Sequence, residues 1–365
     1  MPFASAAPGD SVLRAEVRKF ITDEYDTDPT LCGRGFDWGF SARLAERGWV
    51  GMVIPPEYGG AGRSPVDQLI VAEELLAAHA PIGAHHAAER QTAPMLMRFG
   101  TDLQKRRFLP EIASGKTGFA LGMSEPDSGS DLASVRCKAV PTDDGWLLNG
   151  TKVWTSWADR VQYAVVLCRT SPAVDSKHTG LSQLMVDLAA PGVTVRPITT
   201  IDGSAHFAEV IFDDVAVPAD MMLGVAGQGW KQINAELAYE RGGPDRWLSS
   251  FRVYAALAKA SRRDAAAAVE VGRMTAWYRA LHELSYGIAS AVTAGAEPAV
   301  EAALVKDLGT AFEQRIVETA RRFTGVAGPE LAAAVSDLML IAPGFTIRGG
   351  STQVLRTIVA RRFAQ

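Results

Sequence analysis

Cysteine is scarce in this chain. Cys32, Cys137 and Cys168 are scattered and odd in number, so no disulfide framework is expected. Metal-ligand spacing is missing as well. There is no CxxC and no HxxxH, and the adjacent His85 and His86 point to different sides of any element, so no metal site is expected. No run approaches the roughly 18 apolar residues of a membrane span. The opening MPFASAAPGD has neither the basic nor the apolar region of a secretory signal. Charge of one sign is not in excess: 37 basic and 41 acidic residues leave −4, which offers no footprint for nucleic acid or an anionic membrane. A cytoplasmic location is therefore expected. Nucleotide-loop and hydrolase signatures fail too. Pro110 stands where a P-loop ending in Gly115-Lys116-Thr117 needs glycine, the glycines from Gly224 to Gly229 are not spaced GxGxxG, and no GxSxG exists.

What is present is a change of pattern along 365 residues, a length that suits two or three domains. Residues 11–117 read as helical, with Ser11 placed to cap the first helix and prolines and glycines breaking the pattern at 54–60. From Gly118 to Met222 short β-prone runs alternate with turns: 163–169, 181–187, 193–198 and 209–217. Asn149-Gly150, between two such runs, predicts a hairpin turn. From Gly229 onward the spacing is helical again. The expected class is α+β and multidomain: an N-terminal helical domain (1–117), a middle β-barrel or sandwich (118–223) and a C-terminal four-helix bundle (224–365). This order is not the βαβ alternation of a parallel nucleotide-binding sheet.

Four segments can carry chemistry. Met123 to Asp131 joins hydroxyls, glycine and a turn, which suits either a polar ligand edge or a plain solvated turn. Trp154-Thr155-Ser156-Trp157 sets hydroxyls between aromatic planes, as a flat conjugated ring requires, although tryptophans also serve as core. Trp230, Ile233 and Leu237 form a helical stripe that Glu240 continues. A carboxylate on such a face is either a general base or one half of a structural ion pair, and the residues alone leave both open. Arg348-Gly349-Gly350-Ser351 precedes an amphipathic terminal helix, where glycines allow close backbone approach.

Together these segments resemble the acyl-CoA dehydrogenase family over essentially the whole chain. Gly48-Trp49-Val50-Gly51 and the run Pro55 to Gly62 match early signatures. Met123 to Asp131 resembles TEPxAGSD, with serine for threonine. Asn149 to Ser156 resembles NGxKxWIT, and Val210 to Pro218 resembles the FxdVxVP strand. The resemblance implies FAD held between the middle domain and the bundle by Leu121, Met123, Ser124, Gly129, Ser130, Trp154, Thr155, Ser156, Ser351 and Gln353. It implies substrate contacts at Ser130, Arg241 and Gly349. Many members carry the base in an EGT motif, where this chain has Gly349. Others, including isovaleryl-CoA and long-chain enzymes, carry it on a bundle helix before an arginine, and Glu240-Arg241 matches that arrangement.

The implied reaction is α,β-dehydrogenation of an acyl-CoA to the trans-2-enoyl-CoA, with electrons passing to an electron-transfer flavoprotein from a homodimer or homotetramer. Two family segments are altered. RxxFG corresponds to Ala258 to Asp264, and QxxGGxG to Phe323 to Gly328. They motivate one alternative, a half-site subunit of a heteromer; the others are a carrier-protein-tethered substrate and a flavin oxidase or monooxygenase.

Overall fold

Strands occupy only the middle of the chain. In the computed structural model, which describes residues 8–25 and 35–364, the sequence of elements is helices, strands, helices. Cys32 lies outside the described residues. The first helices are α1 (Pro8–Glu24), α2 (Trp38–Glu46), α3 (Pro65–Ala77), α4 (Ala93–Phe99) and α5 (Asp102–Ala113). The strands are β1 (Phe119–Gly122), β2 (Lys138–Thr142), β3 (Gly145–Ser156), β4 (Tyr163–Arg169), β5 (Leu181–Asp187), β6 (Val193–Ile198) and β7 (Phe207–Pro218). There follow α6 (Gly229–Arg241), α7 (Phe251–Ala260), α8 (Ala265–Thr293), α9 (Ala299–Arg321), α10 (Thr324–Ala327), α11 (Pro329–Phe345) and α12 (Thr352–Phe363). Among the described residues no helix is long and apolar enough to cross a membrane.

Contacts divide the chain into two compact units. One holds α1, α3 and everything from Ala238 onward; the other holds Phe36–Arg63 and Ile82–Leu237. The N-terminal helices are thus shared: α1 and α3 belong with the C-terminal helices, and α2, α4 and α5 with the sheet. Helix α1 begins at Pro8, three residues before the expected cap Ser11. Proline suits a first turn, because its fixed φ and missing N–H disturb nothing there.

In the sheet unit the strand order is β1-β4-β2-β3-β7-β6, with β5 paired to β4 as well. Strand β4 therefore serves three neighbours, parallel to β1 and β2 and antiparallel to β5, and the sheet curls. Its side chains explain the position: Ala164 to Cys168 are all buried, as a strand covered on both faces requires. The hairpin expected at Asn149-Gly150 does not form. The turn falls at 143–144, and Asn149-Gly150 is a bulge within the unbroken strand β3. Two facts override the local signal. The Asn149 amide donates to the Asp214 carboxylate at 2.8 Å, and its oxygen accepts from Asp214 N at 2.9 Å. Gly150 sits at φ 146°, where an added Cβ would lie 2.7 Å from the Cys137 backbone.

In the helical unit a buried ion cluster pins the early helices to α8. Arg14 bridges Glu73 (2.6 Å) and Glu74 (3.0 Å), and His282 Nδ1 meets Glu73 at 2.7 Å. Helix α9 packs against α7, α8, α11 and α12. Trp247, Tyr278 and Phe312 fill this core, each almost fully buried. Side chains of this size contribute about 1.5–3 kcal/mol each on burial. The Trp247 indole N–H is satisfied by Ser285 Oγ at 3.0 Å.

Candidate active site

In the sheet unit, β1 runs into the loop from Met123 to Asp131, and β3 lies beside it. A short cross-link joins the two motif segments. Val153 N donates to Ser124 O at 2.9 Å, and Lys152 Nζ donates to Met123 O at 3.0 Å and to Glu125 Oε1 at 2.8 Å. Glu125 also accepts from the Arg136 and Cys137 amides at 2.7 and 2.9 Å. Lys152 and Glu125 are both buried, so the pair sits where charge is tolerated only when fully bonded. Their roles were not legible in the sequence. The available signal was a lysine on the inward face of a strand otherwise lined by apolar residues.

This cross-link sets the backbone of 121–130 and 153–156 side by side. Leu121, Met123 and Ser124 are half-buried, while Gly129, Ser130 and Ser156 are exposed. The strand register shifts between Lys152 and Thr155, and Trp154 takes a φ of 60° and is 56% exposed. Such a φ costs an L-residue of order 1–3 kcal/mol. The ring rests edge-on against Phe207, 5.7 Å between centroids. Thr155 Oγ1 is buried and has no hydrogen-bond partner among the described residues. A Cβ added at Gly129 would meet nothing within 4 Å, so that side of the loop is open.

In the helical unit, α6 ends at Arg241 because Gly242-Gly243-Pro244 cannot continue it. The 3-10 turn Pro244–Arg246 then folds back on the helix end. Arg246 Nη2 donates to Glu240 Oε1 at 2.9 Å, and its Nε donates to the Glu240 carbonyl at 3.0 Å and lies 3.1 Å from Asp245 Oδ2. Burial works against charge on Arg246, but Asp245, Glu240 and Glu313 outweigh it and raise its pKa. Glu240 is half-buried rather than a core residue.

The glycine turn approaches the same place. Arg241 Nε donates to Gly349 O at 2.9 Å. Gly349 and Gly350 have φ of 65° and 108°. A Cβ at Gly349 would lie 3.3 Å from Glu240 Oε1 and 3.4 Å from Arg246 Cζ, and one at Gly350 would lie 3.2 Å from Arg241 Nη2. Behind the turn, Arg348 Nη2 donates to Asp245 O, Ser249 Oγ and Glu313 Oε2, each at 2.9 Å. Burial pushes the Glu313 carboxyl up to about 7, opposed by Arg348 and the bond from Ser249. Burial, with Arg246 and Arg348, pushes the Lys306 amine down to about 7. Ser351 is half-buried at the N-cap of α12 with no side-chain cap bond, and Gln353 is exposed.

Models of the acyl-CoA dehydrogenase N-terminal, middle and C-terminal domains match residues 9–116, 120–215 and 227–364. The chain belongs to the acyl-CoA dehydrogenase family. It is 36% identical over 372 residues, 96% of each chain, to acyl-CoA dehydrogenase IpdE1 of Mycobacterium tuberculosis. It is 31% identical to FadE29 of the same organism, over 98% of this chain and 97% of that one. Its fold superposes on a chain of the ChsE4-ChsE5 complex from Mycobacterium tuberculosis with a TM-score of 0.84, at 28% identity and over 100% and 99% of the two chains. The protein is thus an oxidoreductase of the acyl-CoA dehydrogenase type, and members of the family are FAD-dependent flavoproteins.

The residues present fit that cofactor. An unpaired buried hydroxyl at Thr155, an exposed indole plane at Trp154 and open space at Gly129 are what a flat ring with a hydrogen-bonding edge needs.

Proposed function

We propose that this acyl-CoA dehydrogenase removes the α-proton of its substrate with Glu240 and forms the trans-2-enoyl-CoA. One observation supports this reading above the others: Glu240 Oε1 lies 3.3 Å from where a side chain at Gly349 would begin. The two family positions for the base lie close together, and of the two only position 240 carries a carboxylate. The Arg246 ion pair does not replace this role. It orients the carboxylate at the end of α6.

Glu240 takes the α-proton. The Gly350 N–H is already bonded to Ile347 O at 3.3 Å, so the Gly349 N–H is the turn's donor to the thioester oxygen as negative charge builds on it. FAD, when bound, supplies the acceptor for the β-hydrogen, which leaves as hydride. Thr155 and Ser156 would bond to the cofactor and Trp154 would cover it. Leu121, Met123, Ser124, Gly129 and Ser130 would line the loop against cofactor or pantetheine, and Ser351 and Gln353 are the cofactor contacts that the family resemblance implies in the helical unit. An electron-transfer flavoprotein would take the electrons; slow reoxidation of the reduced enzyme in air would separate this from an oxidase. Anaerobic titration with acyl-CoA thioesters, read as flavin bleaching in the wild type and in Glu240→Gln, tests the assignment.

A heteromeric assembly is a second reading. The ChsE4-ChsE5 structure is by its name a two-protein complex, and the segments Ala258 to Asp264 and Phe323 to Gly328 depart from the family's pattern. Met339, Leu340 and Ile347 also expose apolar surface. Light scattering with a flavin-to-protein ratio decides it: a homo-oligomer with one FAD per chain rejects the heteromer, and an isolated chain short of FAD favours it.

A further inference from the structure

Helix α9 presents four buried residues on one face: Lys306, Gly309, Thr310 and Glu313, spaced i, i+3, i+4 and i+7. That face reaches both turns that frame Glu240. Toward the glycine turn, Lys306 Nζ donates to Phe345 O at 2.9 Å and to Thr310 Oγ1 at 2.6 Å, and Thr310 Oγ1 donates to Phe345 O at 3.3 Å. Toward the turn Pro244–Arg246, Glu313 Oε1 accepts from Ser249 N at 2.8 Å. The backbone there lies so close to α9 that a Cβ at Gly309 would stand 2.6 Å from Arg246 O. Glu313 Oε2, which accepts from Arg348 Nη2 at 2.9 Å, ties the two turns to each other.

Phe345 is the last residue of α11, and the final carbonyls of a helix find no partner within it. Two of them are taken by α9: Ala342 O by Gln314 Nε2, and Phe345 O by Lys306 and Thr310. A cation at a helix C-terminus also complements its dipole. Lys306 is fully buried, and among the described residues its amine bonds two oxygens and forms no ion pair. For stability alone an apolar side chain such as methionine would fill this space with no amine to desolvate, and Phe345 O would keep its longer bond from Thr310.

We propose that Lys306 is a positioning residue for the reaction: from α9 it holds the end of α11, and with it the Gly349 turn, at the distance from Glu240 where base and turn N–H act on one substrate. This rests on Glu240 as the base and on the Gly349 N–H as the donor to the thioester oxygen. The chain between Phe345 and Gly349 has little slack, because Ile347 N and Arg348 N both bond Gly344 O, at 3.2 and 3.1 Å. A shift of Phe345 is therefore passed on to Gly349, and a misplacement of about 1 Å can slow a reaction about a hundredfold. The competing role is stability alone, which would lower the melting temperature and leave the folded protein's rate unchanged.

The test compares the FAD-loaded wild type with Lys306→Met, Thr310→Val and Phe312→Leu. Phe312 lies on the same helix but packs on Trp277 and Tyr278 of α8, so its variant reports stability only. Anaerobic flavin reduction is followed by stopped flow against butyryl-CoA, isovaleryl-CoA or octanoyl-CoA, whichever the wild type accepts fastest, to separate the limiting rate from half-saturation. Lys306→Met should lower the limiting rate about ten- to a hundredfold, with half-saturation and FAD content near those of the wild type. Thr310→Val should show a smaller loss of the same kind, and Phe312→Leu should melt lower yet keep the wild-type rate. A wild-type limiting rate in Lys306→Met, or a loss that Phe312→Leu reproduces, overturns the proposal. If Lys306→Met does not fold, the near-isosteric Thr310→Val decides, and a wild-type rate there overturns it. Failure of Glu240 as the base looks different: Glu240→Gln itself would then reduce its flavin at the wild-type rate.

Discussion

Arg246 holds Glu240 at two points, its Nη2 on the carboxylate and its Nε on the carbonyl of the same residue. The glutamate is therefore fixed at the end of α6 by a residue that lies beyond the helix. The break at Gly242-Gly243-Pro244 makes this possible, because a continuous helix would carry position 246 away from the carbonyl of 240.

Arg246→Met removes this clamp. Breaking a buried ion pair costs about 3–5 kcal/mol, and the partly exposed Glu240 places this pair at the lower end. The melting temperature should fall, and flavin reduction by any accepted thioester should slow, while FAD content stays near that of the wild type. Unchanged reduction kinetics in a folded variant would contradict the clamp.

Lys152→Met should act on the flavin side. It leaves Glu125 buried with two amide donors but no cation, a loss in the range of 3–5 kcal/mol. FAD content of the purified protein should drop. A double-mutant cycle with Glu125→Gln checks the pairing: the double variant should be more stable than the sum of the single losses allows. Additive losses would mean that the two residues act separately.

Gly349→Ala places a methyl group 3.3 Å from Glu240 Oε1 at a φ of 65°. The left-handed backbone alone costs roughly 1–2 kcal/mol for a residue with a Cβ. Stability and flavin reduction rate should both fall, with the rate falling further than Gly350→Ala lowers it. A fully active, stable Gly349→Ala would remove the argument that this position must stay open.

Two buried groups give opposite slopes of stability with pH. The Glu313 carboxyl is raised from 4.5 to about 7, so its contribution is complete below about 4.5 and is lost as pH rises through 7. The Lys306 amine is lowered from 10.5 to about 7, so its contribution is complete above about 10.5 and is lost as pH falls through 7. Together they lower stability most near neutrality. Thermal melting from pH 5 to 10 should show the difference between wild type and Glu313→Gln changing between pH 5 and 7, and that with Lys306→Met changing between pH 7 and 10. Curves that stay parallel across the range would exclude both shifts.

How far the sequence could be read follows physical range. Strands β4, β5 and β6 were legible at their observed limits, because β-branched and apolar runs end there in Pro, Gly or Asp. The hairpin expected at Asn149-Gly150 failed because the partner that decides it, Asp214, lies 65 residues away on β7. Strand β2 was invisible: Lys138 to Thr142 is short and holds a proline, and pairing with β3 and β4 fixes it. At the candidate site, helical spacing placed Glu240 on the stripe of Trp230, Ile233 and Leu237 on α6, and the arginine after it motivates the role proposed for it. The cations around it were not, since Arg348 and Glu313 meet across 35 residues and Arg241 and Gly349 across 108. A sequence pattern carries residue types at short spacing, and it carries no record of which charges end up compensated.

The measurement that bears most directly on the central assignment compares anaerobic flavin reduction in wild type and Glu240→Gln by straight and branched acyl-CoA thioesters. The account predicts bleaching in the wild type and, in the variant, full FAD content with reduction slowed by about 10²–10⁴-fold, the usual contribution of a positioned general base. Reduction of Glu240→Gln at the wild-type rate would contradict Glu240 as the group that takes the α-proton.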